Sequence, residues 1–263
     1  MDPQTDLHGR AQGGISKDII LLSAMCVLLY GVAAWLLPLA DPEESRCALT
    51  VHEMVTTGEW VVPHLQGEVY DQKPAPFFWL AAAGQYITGD VEMGGRLVAG
   101  LFGLAGVLGA YGVGRSLGGR KAGLLAGVAL ATAGLFVVMA RWYRMDMPFS
   151  ASIWLALACF WLGDRPRDGV KALGGAAWLG VPVHWGWMGF YLWTALAVVF
   201  KGPAGLILPA GVLFWYFVLI RRPGRLREFF NLPGLLLFVV IAAPWFVMMS
   251  QRTPGYAHAF FIG

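Results

Sequence analysis

Long runs of apolar residues dominate the sequence, and short polar connections separate most of them. Runs of about 20 residues with few charges are typical of transmembrane helices. Several runs here are shorter, so flanking residues have to complete the spans. We predict seven spans, at residues 19–39, 97–111, 122–140, 149–162, 185–200, 204–220 and 235–250. The apolar run 76–87 is too short to cross a bilayer, and we expect it to form a helix that lies in the membrane interface or dips into it.

The first apolar run has two interpretations, a cleaved signal peptide or a retained anchor. Its apolar stretch is longer than the ~7–15 residues usual in a signal peptide, and further spans follow. We therefore interpret it as an anchor. This makes residues 1–18 a cytoplasmic tail and residues 19–263 a single transmembrane domain.

The composition narrows the class of protein further. Of the 263 residues, 57% are hydrophobic and 13% are charged, whereas soluble domains carry about 25% charged residues. The composition excludes a disordered chain and favours an all-α, polytopic membrane protein. A net charge of +3 gives no indication of nucleic-acid binding. The spacing of the cysteines predicts neither a metal site nor a disulfide framework; they are Cys26, Cys47 and Cys159.

The charged residues predict an orientation. With the N-terminus in the cytoplasm, 12 of the 19 basic residues fall in inside segments, which the positive-inside rule favours. The outside basic residues are scattered singly. Ten of the 16 acidic residues lie outside, and seven of these are in the first outer loop, residues 41–75. Any chemistry is therefore expected on the outer face.

The first outer loop begins with signals for a short amphipathic helix. Asp41 suits an N-cap, Pro42 suits the first helical position, and Glu44 completes a pattern similar to a capping box. An apolar stripe follows, formed by Cys47, Val51, Met54 and Val55. Gly58 is expected to end the helix, which would lie on the outer membrane surface. Glu43 has no capping role and can point at a ligand.

Three other outer connections carry charged side chains beside apolar runs. Lys73 precedes a proline-rich start to the interfacial helix, and Lys201 lies between the fifth and sixth spans. Asp146 stands near two arginines in the turn before the fourth span. The alternatives are a local ion pair for Asp146 and snorkelling of Lys201 to the headgroups. Together with Glu43, these residues suit a membrane enzyme or a transporter for an anionic lipid, because lysines hold phosphate and a carboxylate accepts a proton.

Four motifs resemble those of the GT-C glycosyltransferases. They are P-E-E-S-R at 42–46, D-Q-K-P-A-P at 71–76, M-D-M-P at 145–148 and F-K-G-P-A-G at 200–205. The bacterial lipid A aminoarabinose transferases and their relatives similar to protein O-mannosyltransferases carry similar motifs in this order. The resemblance extends over residues 19–263.

The resemblance implies a polyprenyl-phosphate-linked sugar donor, used on the periplasmic side of the bacterial inner membrane, and a lipid A-like or protein acceptor. It places Glu43 as the catalytic acid and Asp146 as the second acid. It assigns phosphate binding to Lys73 and Lys201, and Arg46 matches the arginine of the opening motif. Arg144, which directly precedes M-D-M-P, is a further candidate for substrate binding.

Three departures from the family pattern qualify these roles. Glu43 stands where an aspartate is usual, which leaves Asp41 as an alternative base. Gln72 stands where a glutamate often precedes the lysine, so a metal site would lose a ligand there; no cofactor is required, although a divalent metal is compatible. Relatives continue past residue 263, so we expect this chain to be an N-terminal half, with a C-terminal partner chain as one arrangement.

The expected reaction is a single displacement at the anomeric carbon, which inverts its configuration. Two alternatives need no catalytic base: a polyprenyl-lipid binder or flippase-like transporter, and a scaffold subunit of a split enzyme.

Overall fold

The structure is a computed structural model that describes residues 3–36, 38–39, 42–164, 177–178, 181–182, 185–256 and 258. Most of these residues are helical. The α-helices are α1 (Pro3–Cys26), α2 (Ala33–Leu36), α3 (Pro42–Thr57), α4 (Ala75–Thr88), α5 (Val91–Thr132), α6 (Gly134–Arg141), α7 (Asp146–Gly163), α8 (Trp185–Lys201), α9 (Ala204–Leu219) and α10 (Leu232–Arg252). A π-helical stretch, Val27–Val32, joins α1 to α2, and a 3-10 helix, Pro223–Phe230, precedes α10.

Two small antiparallel hairpins complete the described secondary structure. Strand β1 (His64–Leu65) pairs with β2 (Glu68–Val69), and β3 (Ala177–Trp178) pairs with β4 (Val181–Pro182). The first hairpin turns at Gln66 and Gly67, which both have positive φ.

Four segments in the described part of the chain are long and apolar enough to cross a membrane. They are Gly14–Val32, Val91–Thr132, Asp146–Gly163 and Leu232–Arg252, and α9 is a shorter apolar helix. The predicted all-α, multi-pass architecture is confirmed. The count of seven spans stays a prediction.

Helix α5 is a helical hairpin that contains the predicted span 97–111 and the beginning of the span 122–140, whose remainder lies in α6. Its geometry breaks at Gly118 and Gly119, where Gly119 has φ +77°, a conformation that costs a residue with a Cβ. The two arms then pack closely: a Cβ on Gly114 would lie 2.9 Å from the Ala122 carbonyl oxygen. Runs 97–111 and 122–140 therefore lie on opposite sides of this turn.

A buried carboxylate fastens the α5 turn to α1. Asp18 is 1% exposed, and its oxygens accept hydrogen bonds from Arg120 Nη2 at 2.7 Å and from the Tyr111 hydroxyl at 3.0 Å. Arg115 Nη1 lies 3.9 Å from the same carboxylate. This network ties the start of the first span to the end of the second, at the end of the bundle that the basic residues assign to the cytoplasm.

The predicted amphipathic helix is confirmed as α3. It begins at Pro42 and stops before Gly58, whose N–H donates to the Met54 carbonyl. Cys47, Val51 and Met54 are buried in the core cluster that α3 shares with α4, α8 and α10. The predicted interfacial helix is α4, whose Phe77, Phe78 and Ala81 face the same core.

The rest of the first outer loop is held against α10. Trp245 Nε1 donates to the Val61 carbonyl at 2.9 Å, and Arg252 Nη1 pairs with the Glu59 carboxylate at 2.9 Å. Glu59 also accepts the backbone N–H groups of Val61 and Val62. The Val61 hydrogen bond, with help from Val62 and Arg252, lowers the pKa of the Glu59 carboxyl, while partial burial opposes it. The ionised carboxylate is therefore the form that fastens the loop.

Candidate functional site

Charged side chains from four separate connections gather at one end of the bundle. We call them the outer cluster: Glu43, Arg46, Lys73, Arg144, Asp146 and Lys201. The start of α3, the segment before α4, the turn before α7 and the end of α8 contribute them. Glu43 and Lys201, the first and the last of these residues, are 158 positions apart in the sequence, so folding brings the connections together.

Asp146 lies between two cations. Its Oδ1 is 2.5 Å from Lys201 Nζ, and its Oδ2 is 3.1 Å from Arg144 Nε. Lys73 interacts with the same carboxylate electrostatically. The local pair with Arg144 was one of the sequence alternatives, but the pair with Lys201 joins two connections that are 55 residues apart. Lys201 is therefore directed to a carboxylate rather than only to the headgroup region.

The turn after α8 explains how Lys201 reaches this position. Gly202 adopts φ +82° and donates its N–H to the Val198 carbonyl, which closes α8 one residue after the lysine. Pro203 then starts α9 almost at once. The Lys201 ammonium also lies 5.4 Å from the centre of the Phe149 ring, so α7 contacts the lysine through both a carboxylate and an aromatic face.

Glu43 lies on the first turn of α3 and is partly exposed. Its Oε1 accepts a hydrogen bond from Arg46 Nη1 at 2.8 Å. The side chain of Glu43 is 31% exposed and that of Arg46 is 52% exposed. Both motif residues thus face solvent on one side of α3, as a residue that meets a ligand must.

A buried thiol shows that the cluster converges. Cys47 is 3% exposed, and burial raises its pKa to about 12. Glu43 and Asp146 raise this pKa, whereas Lys73 and Arg144 lower it. Electrostatic effects of both carboxylates and of two cations of the outer cluster therefore reach this one thiol. From the sequence alone, Cys47 is only one member of an apolar stripe.

Tyr70 is a further neighbour that the sequence did not single out. It is 7% exposed, and burial, reinforced by Cys47 and Glu43, raises the pKa of its hydroxyl to about 12. Arg46 opposes this shift. The hydroxyl is therefore a neutral hydrogen-bonding group beside the outer cluster. An aromatic residue three positions before Lys73 was the available signal.

Glu44 corrects the capping-box prediction. It is 1% exposed, and its Oε1 accepts the backbone N–H of Tyr143 at 2.7 Å. Arg96 Nε lies 3.5 Å from the same oxygen, and the Arg96 guanidinium donates to the carbonyls of Ala34 and Pro38. Glu44 does not form the predicted capping box because its carboxylate is paired with groups in the core instead of lying at the helix end. Glu44 and Arg96 hold α3, α5, the end of the first span and the turn before α7 together.

Two sequence predictions are not resolved by these contacts. Asp41 lies outside the described residues. Among the residues that the structure describes, no group of three His, Cys, Asp or Glu side chains is arranged to hold a metal ion. The described residues around Gln72 therefore form no such group of metal ligands. The binding of a divalent metal stays a prediction.

An apolar groove begins beside the outer cluster. It has a volume of about 800 Å³ and runs between the α8–α9 turn and α10. Its walls include Val198, Pro203, Ile207, Phe238, Ala242 and Phe246. Val198 lies less than one helical turn before Lys201, so the mouth of the groove and the ammonium group are neighbours.

Comparison with known proteins gives a consistent result. Residues 72–248 match the family model described as dolichyl-phosphate-mannose-protein mannosyltransferase. An undecaprenyl phosphate-alpha-4-amino-4-deoxy-L-arabinose arabinosyl transferase of Pseudomonas fluorescens is 30% identical over 233 residues, which are 86% of this chain and 38% of the relative. An uncharacterized protein of Aquifex aeolicus is 29% identical over 234 residues, which are 87% of this chain and 42% of the relative.

Solved structures of ArnT from Cupriavidus metallidurans have the same fold. The form bound to undecaprenyl phosphate superposes with a TM-score of 0.82 at 27% identity, over 93% of this chain and 43% of that one. The apo form gives a TM-score of 0.81 at 28% identity, over 94% and 44%. The chain thus spans about two-fifths of the length of the relatives it matches. It belongs to the dolichyl-phosphate-mannose-protein mannosyltransferase family, and the predicted resemblance to GT-C glycosyltransferases of the aminoarabinose transferase type is confirmed.

Proposed function

We propose that this chain carries the donor-binding and catalytic face of a membrane glycosyltransferase. The enzyme transfers a sugar from a polyprenyl-phosphate donor to a lipid A-like or protein acceptor. The observation that carries the proposal is the position of Asp146 between two cations. Lys201 and Arg144 form ion pairs with it near one end of an apolar groove. The relatives' names, which refer to undecaprenyl and dolichyl phosphates, support the same class of donor.

The charge balance favours a phosphate between the lysines. The outer cluster holds four cationic side chains and two carboxylates, so the cations exceed the acids by two. A donor phosphate supplies the missing negative charge and accepts charge-assisted hydrogen bonds. The isoprenoid tail occupies the groove between the α8–α9 turn and α10, where apolar walls begin next to Lys201.

The reaction follows from these positions. An acceptor oxygen attacks the anomeric carbon of the donor as the bond from that carbon to the phosphate oxygen breaks. The acceptor proton passes to Glu43, which also orients the hydroxyl, or to Asp41 as the alternative base. The electron pair of the broken bond stays with the polyprenyl phosphate, where Lys73 and Lys201 stabilise the growing charge. A single displacement of this kind inverts the configuration.

Turnover of a radiolabelled lipid-linked sugar distinguishes an enzyme from a lipid binder or a flippase-like transporter. The assay uses membranes of the cell that makes the protein, so that any C-terminal partner chain is present. We expect Glu43→Gln to abolish turnover while donor binding persists, because only the proton acceptor is lost. Glu68→Gln, an exposed acid of the same outer loop, is the matched control. Turnover that survives Glu43→Gln but not Asp41→Asn assigns the base to Asp41, and donor binding by wild type without any turnover contradicts the enzyme.

The proposed location is the bacterial inner membrane, with the outer cluster on the periplasmic side. In a background whose native cysteines are replaced by serine, His52→Cys and Arg227→Cys place single thiols at exposed positions of opposite ends of the bundle. A membrane-impermeant maleimide on intact spheroplasts is expected to label position 52 and not 227. Labelling of position 227 alone reverses the orientation and moves the reaction to the cytoplasmic face.

A further inference from the structure

We propose that the end of the bundle opposite to the outer cluster binds an anionic diacyl phospholipid. Its acyl chain lies in a second groove, between α5, α7 and α9, and its phosphate lies against Arg221 and Arg222. Neither the catalytic roles above nor the polyprenyl donor requires this site.

The second groove is apolar and lined with aromatic rings. It has a volume of about 360 Å³, and its walls include Val113, Leu117, Trp154, Trp161, Val212 and Tyr216. The two indole N–H groups are already satisfied, since Trp154 donates to the Gly106 carbonyl and Trp161 donates to the Ser116 hydroxyl. The rings therefore present only their apolar surfaces to an occupant, which suits a hydrocarbon chain.

The charges around this groove are unbalanced. The described residues at this end include eight basic side chains and three acidic ones: Lys17, Arg115, Arg120, Lys121, Arg221, Arg222, Arg225 and Arg227, against Asp18, Asp164 and Glu228. Asp18 is engaged by Arg120, and Arg225 makes ion pairs with both Asp164 and Glu228.

The remaining arginines of the α9–α10 connection are exposed. Arg221, Arg222 and Arg227 make no ion pair with any described carboxylate. Such a surface attracts an anionic headgroup, because an arginine guanidinium matches the geometry of a phosphate.

Two of these arginines follow the end of α9, five and six residues after the groove residue Tyr216. Tyr216 lines the groove, and its carbonyl accepts the N–H of Ile220, so the helix continues for one turn from the groove to Arg221. Arg221 adopts φ +56°, a conformation in which glycine is usual at a helix end. An arginine thus occupies a backbone conformation in which glycine is usual, and Arg222 follows it in the sequence.

The location separates this lipid from the polyprenyl donor. Helix α9 has 16 residues, and it rises about 24 Å from the Lys201 end to the Arg221 end. The positive-inside rule assigns the Arg221 end to the cytoplasmic leaflet, whose anionic lipids supply phosphate headgroups at that depth. One donor phosphate at Lys201 and one phospholipid phosphate at Arg221 can therefore be bound together.

Native mass spectrometry of the delipidated protein in a neutral detergent tests the proposal. The probes are dioleoylphosphatidylglycerol and dioleoylphosphatidylcholine, which share acyl chains and differ in net charge. We expect the dissociation constant to be roughly tenfold lower for the phosphatidylglycerol, because the choline cation of the other lipid offsets the attraction between the two arginines and its phosphate. Equal affinities for the two lipids overturn the proposal.

Two variants examine the headgroup and the groove separately. The double variant Arg221→Gln, Arg222→Gln is expected to remove the preference for phosphatidylglycerol without abolishing binding of either lipid. Val212→Trp fills the groove and is expected to weaken both lipids, whereas the matched Val240→Trp, on an exposed position of α10, leaves them unchanged. A melting temperature for each variant shows that the fold persists.

Competition identifies the occupant. Undecaprenyl phosphate in excess is expected to leave the phosphatidylglycerol bound, because the two phosphates use opposite ends of the bundle. Displacement of the phosphatidylglycerol, or equal weakening by Val212→Trp and Val240→Trp, overturns the phospholipid site.

Discussion

Lys201→Met is expected to weaken the binding of undecaprenyl phosphate by roughly ten- to a hundred-fold, the usual cost of losing a hydrogen bond to a charged partner. Methionine keeps an apolar stem of similar length but removes the ammonium group that meets Asp146 and faces the groove. Lys73→Met should have a similar effect, because Lys73 contributes positive charge to the same point. Affinities are measured by titration of the purified chain with undecaprenyl phosphate.

The matched control is Lys121→Met, which removes an exposed lysine at the opposite end of the bundle. Its affinity for undecaprenyl phosphate should equal that of the wild type. If all three lysine variants bind undecaprenyl phosphate with equal affinity, Lys73 and Lys201 do not hold the phosphate. Only the family resemblance would then support a phosphate site.

Asp146→Asn provides a test with the opposite sign. In the free protein the Asp146 carboxylate competes with a phosphate for Lys201 and Arg144. Its removal is expected to preserve or increase the affinity for undecaprenyl phosphate while turnover falls. Loss of affinity would instead mean that Asp146 holds the lysine in its binding position.

The second large effect concerns the buried pair of Glu44 and Arg96. The Glu44 side chain is 2% exposed and that of Arg96 is 3% exposed. Glu44→Leu removes the carboxylate beside a buried guanidinium charge, and the loss of one partner of a buried pair costs about 3–5 kcal/mol. The melting temperature in detergent should fall by roughly 6–20 °C.

A neighbouring pair on the same helix is the control. Arg46→Met breaks the partly exposed pair with Glu43 and should cost under about 1 kcal/mol. The double variant Glu44→Leu, Arg96→Met should recover part of the stability lost in Glu44→Leu, because no unpaired charge stays buried. A double variant as unstable as the sum of its single variants would show that the two residues act independently.

The residues of the outer cluster could be singled out from the sequence because charged residues there interrupt or border apolar runs. Lys201 and Asp146 each flank a long hydrophobic segment, where an unpaired charge costs free energy. Such positions can therefore be selected as candidates without knowledge of the fold. Their partners could not be predicted in the same way. The pair of Lys201 and Asp146 depends on how α7 and α8 pack, and residue spacing does not determine this.

Glu43 and Glu44 show where local rules stop. The two acids are adjacent on α3, so a rotation of about 100° around the helix separates them. Both fit the pattern of an acidic first turn, and only the packing decides that Glu44 enters the core. Its partner Arg96 was counted among scattered outside charges, because 52 residues separate the two in the sequence.

The turn at Gly118 and Gly119 has a consequence for biogenesis. Asp18 stands at the beginning of the first apolar segment, and its strong partner, Arg120, is synthesised 102 residues later. Until the first arm of α5 has been translated and the chain has turned back, the nascent α1 carries a carboxylate with no guanidinium to meet it. The first helix is therefore expected to reach its stable position in the bilayer late in translation, after the hairpin turn has been synthesised.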